Sequence, residues 1–161
     1  MSIIRYFARQ LKQPNGIVGY LFTGHFLNWE NRATIQHTVD LLRIQPDDQV
    51  LDIGFGGGRS IQVMALAAPN GLIVGIDVSQ PMIKRARSRF ANQISRGQIR
   101  IEFGSISNLT FNNGTFDKIS AIHTIYFWPD LDQGVNEALR VMKIGGCLVV
   151  AIHSKQKMQN D

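Results

Sequence analysis

A run of glycines set between an apolar stretch and a helix, Gly54-Phe55-Gly56-Gly57-Gly58, constrains the fold of this chain more than any other segment. The five residues before it, Gln49–Ile53, read as a short β-strand. Those after it, through Met64 to Ala68, read as a helix that stops at Pro69-Asn70-Gly71. A strand that turns through glycines into a helix lets a ligand come close to the backbone and presents N–H groups at the helix N-terminus. In an open α/β sheet this is the switch point, outside the carboxyl ends of the strands.

The rest of the chain supplies such a sheet. Leu72–Ile76, Ile99–Phe103 and Phe116–Ile122 read as strands two to four. Ile35, Val39 and Leu42 mark one face of a helix over Arg32–Arg43, closed by Gln45-Pro46-Asp47-Asp48. Ser79 is placed as the N-cap of a helix beginning at Gln80, with Pro81 in its first turn. A helix over Asp130–Met142 is expected to be broken by Gly145-Gly146, with a fifth strand over Cys147–Ile152. Apolar spacing at residues 3, 4, 7, 8 and 11 predicts a further helix near the start, followed by a turn at Gln13–Gly16. Strands alternating with helices imply a mostly parallel, doubly wound α/β sheet with helices on both faces. We expect one domain over 1–161, with residues 1–31 as a helical or lid segment and 32–161 as the core. Tyr20 to Trp29 is the candidate lid.

Composition fits an ordinary domain: 161 residues, 44% hydrophobic and 18% charged. The apolar stretch Ile17–Leu27 falls short of the ~18–20 residues of a membrane span. Arg5 and Arg9 interrupt what a secretory signal would need, so a cytoplasmic protein is expected. The single cysteine, Cys147, excludes an internal disulfide and a multi-cysteine zinc site, and no metal is predicted. The net charge of +5 gathers between Lys84 and Arg100, a stretch without an acid. Only Phe90 could serve there as a stacking platform, which argues against nucleic acid. The stretch reads as a solvated helix face, with a weak attraction to anionic substrates or membrane surfaces left open.

Two acids narrow the ligand. Asp77 ends the second strand, nineteen residues after Gly58, where a carboxylate can accept hydrogen bonds from a ribose diol. Arg59 stands where a dinucleotide fingerprint has its third glycine. Asp52 would set a carboxylate beside the space a pyrophosphate must occupy, and like charges repel there. S-adenosylmethionine (SAM), with an ammonium and a sulfonium, suits this loop better than an anionic dinucleotide.

With these residues in order, VLDIGFGGG (50–58) resembles motif I of class I SAM-dependent methyltransferases, and VGIDVSQPMI (74–83) resembles their ribose-binding segment. TFDKISAIHTIYFWPDL (115–131) and EALRVMKIGGCLVV (137–150) resemble the family's fourth-strand and fifth-strand regions. The likeness covers roughly residues 34–152. It is nearest to small-molecule enzymes of the ubiquinone/menaquinone type and the generic methyltransferase domain 11 kind. It implies a Rossmann-like fold and SAM as cofactor. Gly54, Gly56 and Gly58 would line the methionine moiety, with Asp52 fixing the loop near the ammonium. Asp77 would hold the ribose, and Val78 and Met82 would pack on the adenine. Ser105 stands where many members carry an acid that meets the adenine amino group, and Ile106 would offer its backbone N–H there.

His123, at the end of the fourth strand, is the candidate to accept a proton from the methyl acceptor or orient it, since imidazole is poised near pH 7. His25 and His37 read as ordinary polar residues, and Tyr126, Phe127 and Trp128 as core or pocket wall. The chain stops nine residues after the fifth strand, where members of the family usually add another helix and two strands. The sequence therefore reads as C-terminally shortened, with the fifth-strand edge covered in a homodimer if the chain is not a truncated product. The expected activity is methyl transfer to a small organic acceptor. The alternatives are a SAM-binding protein with weak or no catalysis and, further off, an NAD(P)-dependent oxidoreductase.

Overall fold

The structure, a computed structural model, describes residues 32–152. The predicted helix over residues 3–11, the turn after it, the candidate lid and the last nine residues lie outside the described residues. In chain order the elements are α1 (Arg32–Leu42), β1 (Gln49–Ile53), α2 (Arg59–Ala67), β2 (Leu72–Asp77), α3 (Gln80–Arg89), α4 (Ala91–Ser95), β3 (Ile99–Phe103) and β4 (Phe116–Ile122). A 3-10 turn (Ile125–Phe127), α5 (Leu131–Val141) and β5 (Met142–Ala151) complete them.

The strands form one five-stranded sheet in the order β3-β2-β1-β4-β5, and every pairing is parallel. Alternation along β1 shows why both faces must be covered. Val50 belongs to one core cluster, while Leu51 and Ile53 belong to the other. On the first face α1 contributes Val39 and Leu42, α2 Ile61 and Met64, and α3 Met82, Ile83 and Ala86. On the second face α5 contributes Ala138 and Val141. Each fully buried Val, Leu, Ile or Met among them contributes about 1.5–3 kcal/mol of transfer free energy. The chain is the doubly wound α/β domain that the sequence implied.

The crossover from β3 to β4 departs from the expected helical covering. A loop takes it, burying Ile106, Leu109 and Phe111 in the second core. Arg140 of α5 fastens this loop by donating to the carbonyls of Phe111 and Leu109, both at 2.8 Å, while Glu137 accepts the Leu109 N–H at 2.8 Å.

The expected N-cap position of Ser79 and the start of α3 at Gln80 hold, while the expected end of α5 is corrected. Ser79 occupies the N-cap position of α3, but its side chain makes no capping bond, and its N–H instead donates to Asp77 Oδ1 at 2.8 Å. Gly145-Gly146 does not end α5. The helix passes directly into β5 at Met142, which stands opposite Phe116, and the register with β4 then slips so that Lys118 faces Cys147. The intervening residues loop outward within the strand, with Ile144 fully exposed. Lys143 anchors the excursion through Asp117, at 2.8 and 2.9 Å, and Asp117 also accepts the Gln49 N–H.

Candidate active site

The order β3-β2-β1-β4-β5 sends the chain one way from β1 to β2 and the other way to β4, which opens a crevice at the carboxyl end of β1. The glycine loop fills its floor. Gly54 has φ of +73° and donates its N–H to Ile76 O at 2.8 Å, tying the loop to β2. A Cβ at Gly54 would lie 2.4 Å from Thr124 Cγ2, so this residue must be glycine for both conformation and space. Gly56, with φ of +51°, has no atom of the described residues within 4 Å of where a Cβ would be, which leaves space there for a ligand. Gly58 closes the loop as the residue before α2, against the ring of Phe90.

Two carboxylates hold this loop from below and beside. Asp52 is only 1% exposed, and both its oxygens accept serine hydroxyls, Oδ2 from Ser60 at 2.5 Å and Oδ1 from Ser120 at 2.6 Å. The aspartate thereby joins β1, α2 and β4. Burial pushes its pKa up to about 6. The two serine bonds oppose that rise, and the neighbouring Asp77 charge adds to it. Asp77 accepts the Gly56 N–H on Oδ2 at 2.9 Å and the Ser79 N–H on Oδ1 at 2.8 Å. Burial also raises its pKa, against the pull of these backbone bonds. With about four lone-pair directions on a carboxylate, both oxygens keep acceptor capacity beyond these bonds. Two buried carboxylates that burden each other make a negative site, and a cation placed above it is stabilised.

The remaining predicted residues surround this floor. Val78 is 46% exposed at the rim, whereas Met82 is 3% exposed and belongs to the core beneath α3. Gly104 donates its N–H to Asp77 O at 3.2 Å, which brings Ser105 and Ile106 to the end of β2. The Ile106 side chain is core, so only its backbone can face the site. Ser105 Oγ accepts the Ser107 N–H at 3.3 Å. His123 follows β4 with φ of +55°, and its N–H donates to Ala151 O at 2.9 Å. A left-handed backbone at a non-glycine residue costs about 1–2 kcal/mol and is concentrated at functional sites. Tyr126 and Phe127 stand exposed nearby, ring edge to face at 6.3 Å, while Trp128 packs on Gly134 of α5.

Four residues that the sequence reading did not single out complete the site: Ser60, Ser120, Thr124 and Arg89. Thr124 Oγ1 donates to Ile53 O at 3.1 Å, and Arg89 donates to Gly57 O at 3.2 Å. Ser120 carried a signal, a lone hydroxyl in the apolar strand FDKISAI, where a buried polar group requires a partner.

Comparison with known proteins identifies the family. Residues 51–150 match the model of a family described as a methyltransferase domain. The chain is 27% identical over 136 residues to an uncharacterized methyltransferase, YdaC, of Bacillus subtilis, spanning 84% of this chain and 73% of that one. It is 30% identical over 131 residues to a demethylmenaquinone methyltransferase of Desulfitobacterium hafniense, spanning 81% of this chain and 50% of that one. A solved SAM-dependent methyltransferase from Aquifex aeolicus superposes with a TM-score of 0.65 at 19% identity, over 72% of this chain and 62% of that chain, a likeness of fold. The chain thus spans about half the length of the quinone-type relative and under two thirds of the solved one.

Proposed function

The chain belongs to the methyltransferase-domain family, and from that premise we propose that it transfers a methyl group from SAM to a small organic acceptor. The observation that carries the reading is the join of Gly56 to Asp77: an open glycine backbone bonded at 2.9 Å to a carboxylate, above a second buried carboxylate. This floor fits a cationic nucleoside and opposes a pyrophosphate, which sets the NAD(P) reading aside.

In this reading the backbones of Gly54, Gly56 and Gly58 line the methionine moiety. Asp77 accepts the ribose hydroxyls. Val78 at the rim takes the adenine contact with Met82 packed behind it, while Ser105 and the Ile106 N–H flank the base. Asp52 fixes the loop and acts on the ammonium through its field, since its oxygens are engaged by Ser60 and Ser120. When bound, the cofactor supplies the activated methyl group. The chain's task is to align the acceptor in line with it and to exclude water. His123 orients the acceptor or receives its proton, and its backbone is fixed in place by Ala151.

The quinone-type relative makes a small aromatic acceptor the first class to screen. A cytoplasmic location and a homodimer paired along β5, the outermost strand on its side among the described residues, belong to the same reading. Cell fractionation and light scattering test them, and a monodisperse monomer overturns the dimer. Titration calorimetry with SAM, S-adenosylhomocysteine and NAD tests the cofactor. Micromolar binding of the first two, lost in Asp77→Ala, supports the proposal. Binding of NAD alone overturns it. SAM binding without turnover on any acceptor favours the second reading, a SAM-binding chain without catalysis.

A further inference from the structure

Charge is divided unevenly across this molecule. Residues 53–101 carry seven basic side chains against one acid, and that acid, Asp77, is buried in the site. The elements of this stretch that cover the sheet, α2 and α3, lie on one face and share one core cluster. Neither helix carries a carboxylate of its own, while Arg100 on β3 pairs with Glu102 at 2.8 Å. Arg59 of α2 and Arg89 of α3 converge on a single neutral acceptor, Gln62 Oε1, at 3.4 and 2.6 Å. Burial lowers the pKa of Arg89, and the like charges of Arg85 and Arg59 lower it further. Two guanidiniums that share one neutral amide oxygen keep their full charge, which an outside anion can meet.

We infer that the outer face of α2 and α3 docks on the surface of an anionic lipid bilayer. Two features choose a bilayer over a nucleic acid. The first is Leu66, on the same outward stripe of α2 as Arg59 and Gln62 and 78% exposed, an apolar side chain set among cations. That combination suits a headgroup layer, where cations meet lipid phosphates and an apolar side chain enters the acyl boundary. The second is the lack of exposed aromatic rings on this face: Phe55 and Phe90, the aromatics of the stretch, are both buried, so bases find no stacking platform. Lys84 on α3 and Arg96 just after α4 are exposed and extend the cationic area. Among the described residues no helix is long and apolar enough to cross a membrane, so the contact is peripheral. Such a face would hold the crevice next to a bilayer, within reach of an acceptor that dissolves in it.

Sedimentation of the full chain with vesicles tests the inference. Vesicles of phosphatidylcholine alone are compared with vesicles containing phosphatidylglycerol, at low and at physiological salt. The expected result is binding to the anionic vesicles only, weakened by salt. It should fall by about tenfold or more in Lys84→Glu/Arg96→Glu, whose side chains are exposed. Leu66→Asn should lower the binding that remains at physiological salt. Circular dichroism confirms that each variant is folded. If a variant does not fold, Lys84→Gln/Arg96→Gln replaces it, with a smaller loss expected in the same direction. Equal binding to both vesicle types overturns the inference, as does binding unchanged by the charge substitutions. Tighter, salt-sensitive binding to a short RNA with none to vesicles also overturns it and assigns the face to nucleic acid.

Discussion

Thr124 lies against Gly54 so closely that a single added methyl group would stand 2.4 Å from its Cγ2. The contact joins the end of β4 to the end of β1, the two strands between which the crevice opens, and it separates two glycines that look alike in sequence. Gly54→Ala must both clash with Thr124 and accept a left-handed backbone, for a stability loss of about 2–4 kcal/mol. Gly56→Ala meets no atom of the described residues within 4 Å and pays only the backbone strain, about 1 kcal/mol. Its methyl would nonetheless fill the space above the loop, so SAM affinity should fall about tenfold or more. Urea unfolding and calorimetry on the two variants check the contrast.

Asp52 carries a pH dependence whose sign differs from that of an ordinary ion-paired aspartate. Its carboxyl is pushed up to about 6 in the folded protein from an ordinary 3.8. A raised acid favours the folded state fully below the unfolded pKa and loses that contribution as pH rises through the folded one. Stability without ligand should therefore decline between about pH 4 and pH 6, by a few kcal/mol at most. SAM affinity should move the opposite way, rising as Asp52 ionises. In Asp52→Asn both slopes should flatten, as read by thermal melts and calorimetry across that range.

Asp77 is the residue on which cofactor binding depends most. Asp77→Ala removes the acceptor of the Gly56 and Ser79 N–H groups as well as the proposed ribose contact. Hydrogen bonds to a charged group contribute about 1.5–3 kcal/mol, so affinity for SAM should drop by about ten- to a hundredfold. Asp77→Asn should retain part of it, because one oxygen still accepts. Calorimetry with both variants distinguishes lost bonds from lost charge.

His123 allows strain and chemistry to be tested separately. Replacing it by glycine relieves a φ of +55°, so His123→Gly should be about 1 kcal/mol more stable than His123→Ala, which keeps the strain. Turnover with a working acceptor should nevertheless fall by about 10²–10⁴-fold if the imidazole handles the proton. Full turnover in His123→Ala would remove the residue from the mechanism.

The strands β1, β3 and β4 were legible to the residue, because each is a short segment with recurring apolar positions between glycine or polar turns. The boundary between α5 and β5 was not. Leu131, Val135, Leu139 and Met142 keep helical spacing, yet Met142 is drawn into the sheet beside Phe116, a contact between residues far apart in sequence. Distance in sequence also explains what the site reading missed. Ser120 and Thr124 meet Asp52 and Ile53 across 68 and 71 residues, and no local pattern announces such pairs. Gly54, Gly56 and Asp77 could be read because a turn chemistry and a strand end are local facts.

The bonds that Asp52 makes to Ser60 and Ser120, and Asp77 to Gly56, have a kinetic meaning as well. A loop already fixed to two strands and a helix presents its peptide planes in a set orientation before any ligand arrives, so capture needs no ordering of this loop. The loop should then add no slow phase to association. Substitutions that loosen these ties should show chiefly as faster escape of the bound molecule, with the rate of arrival little changed.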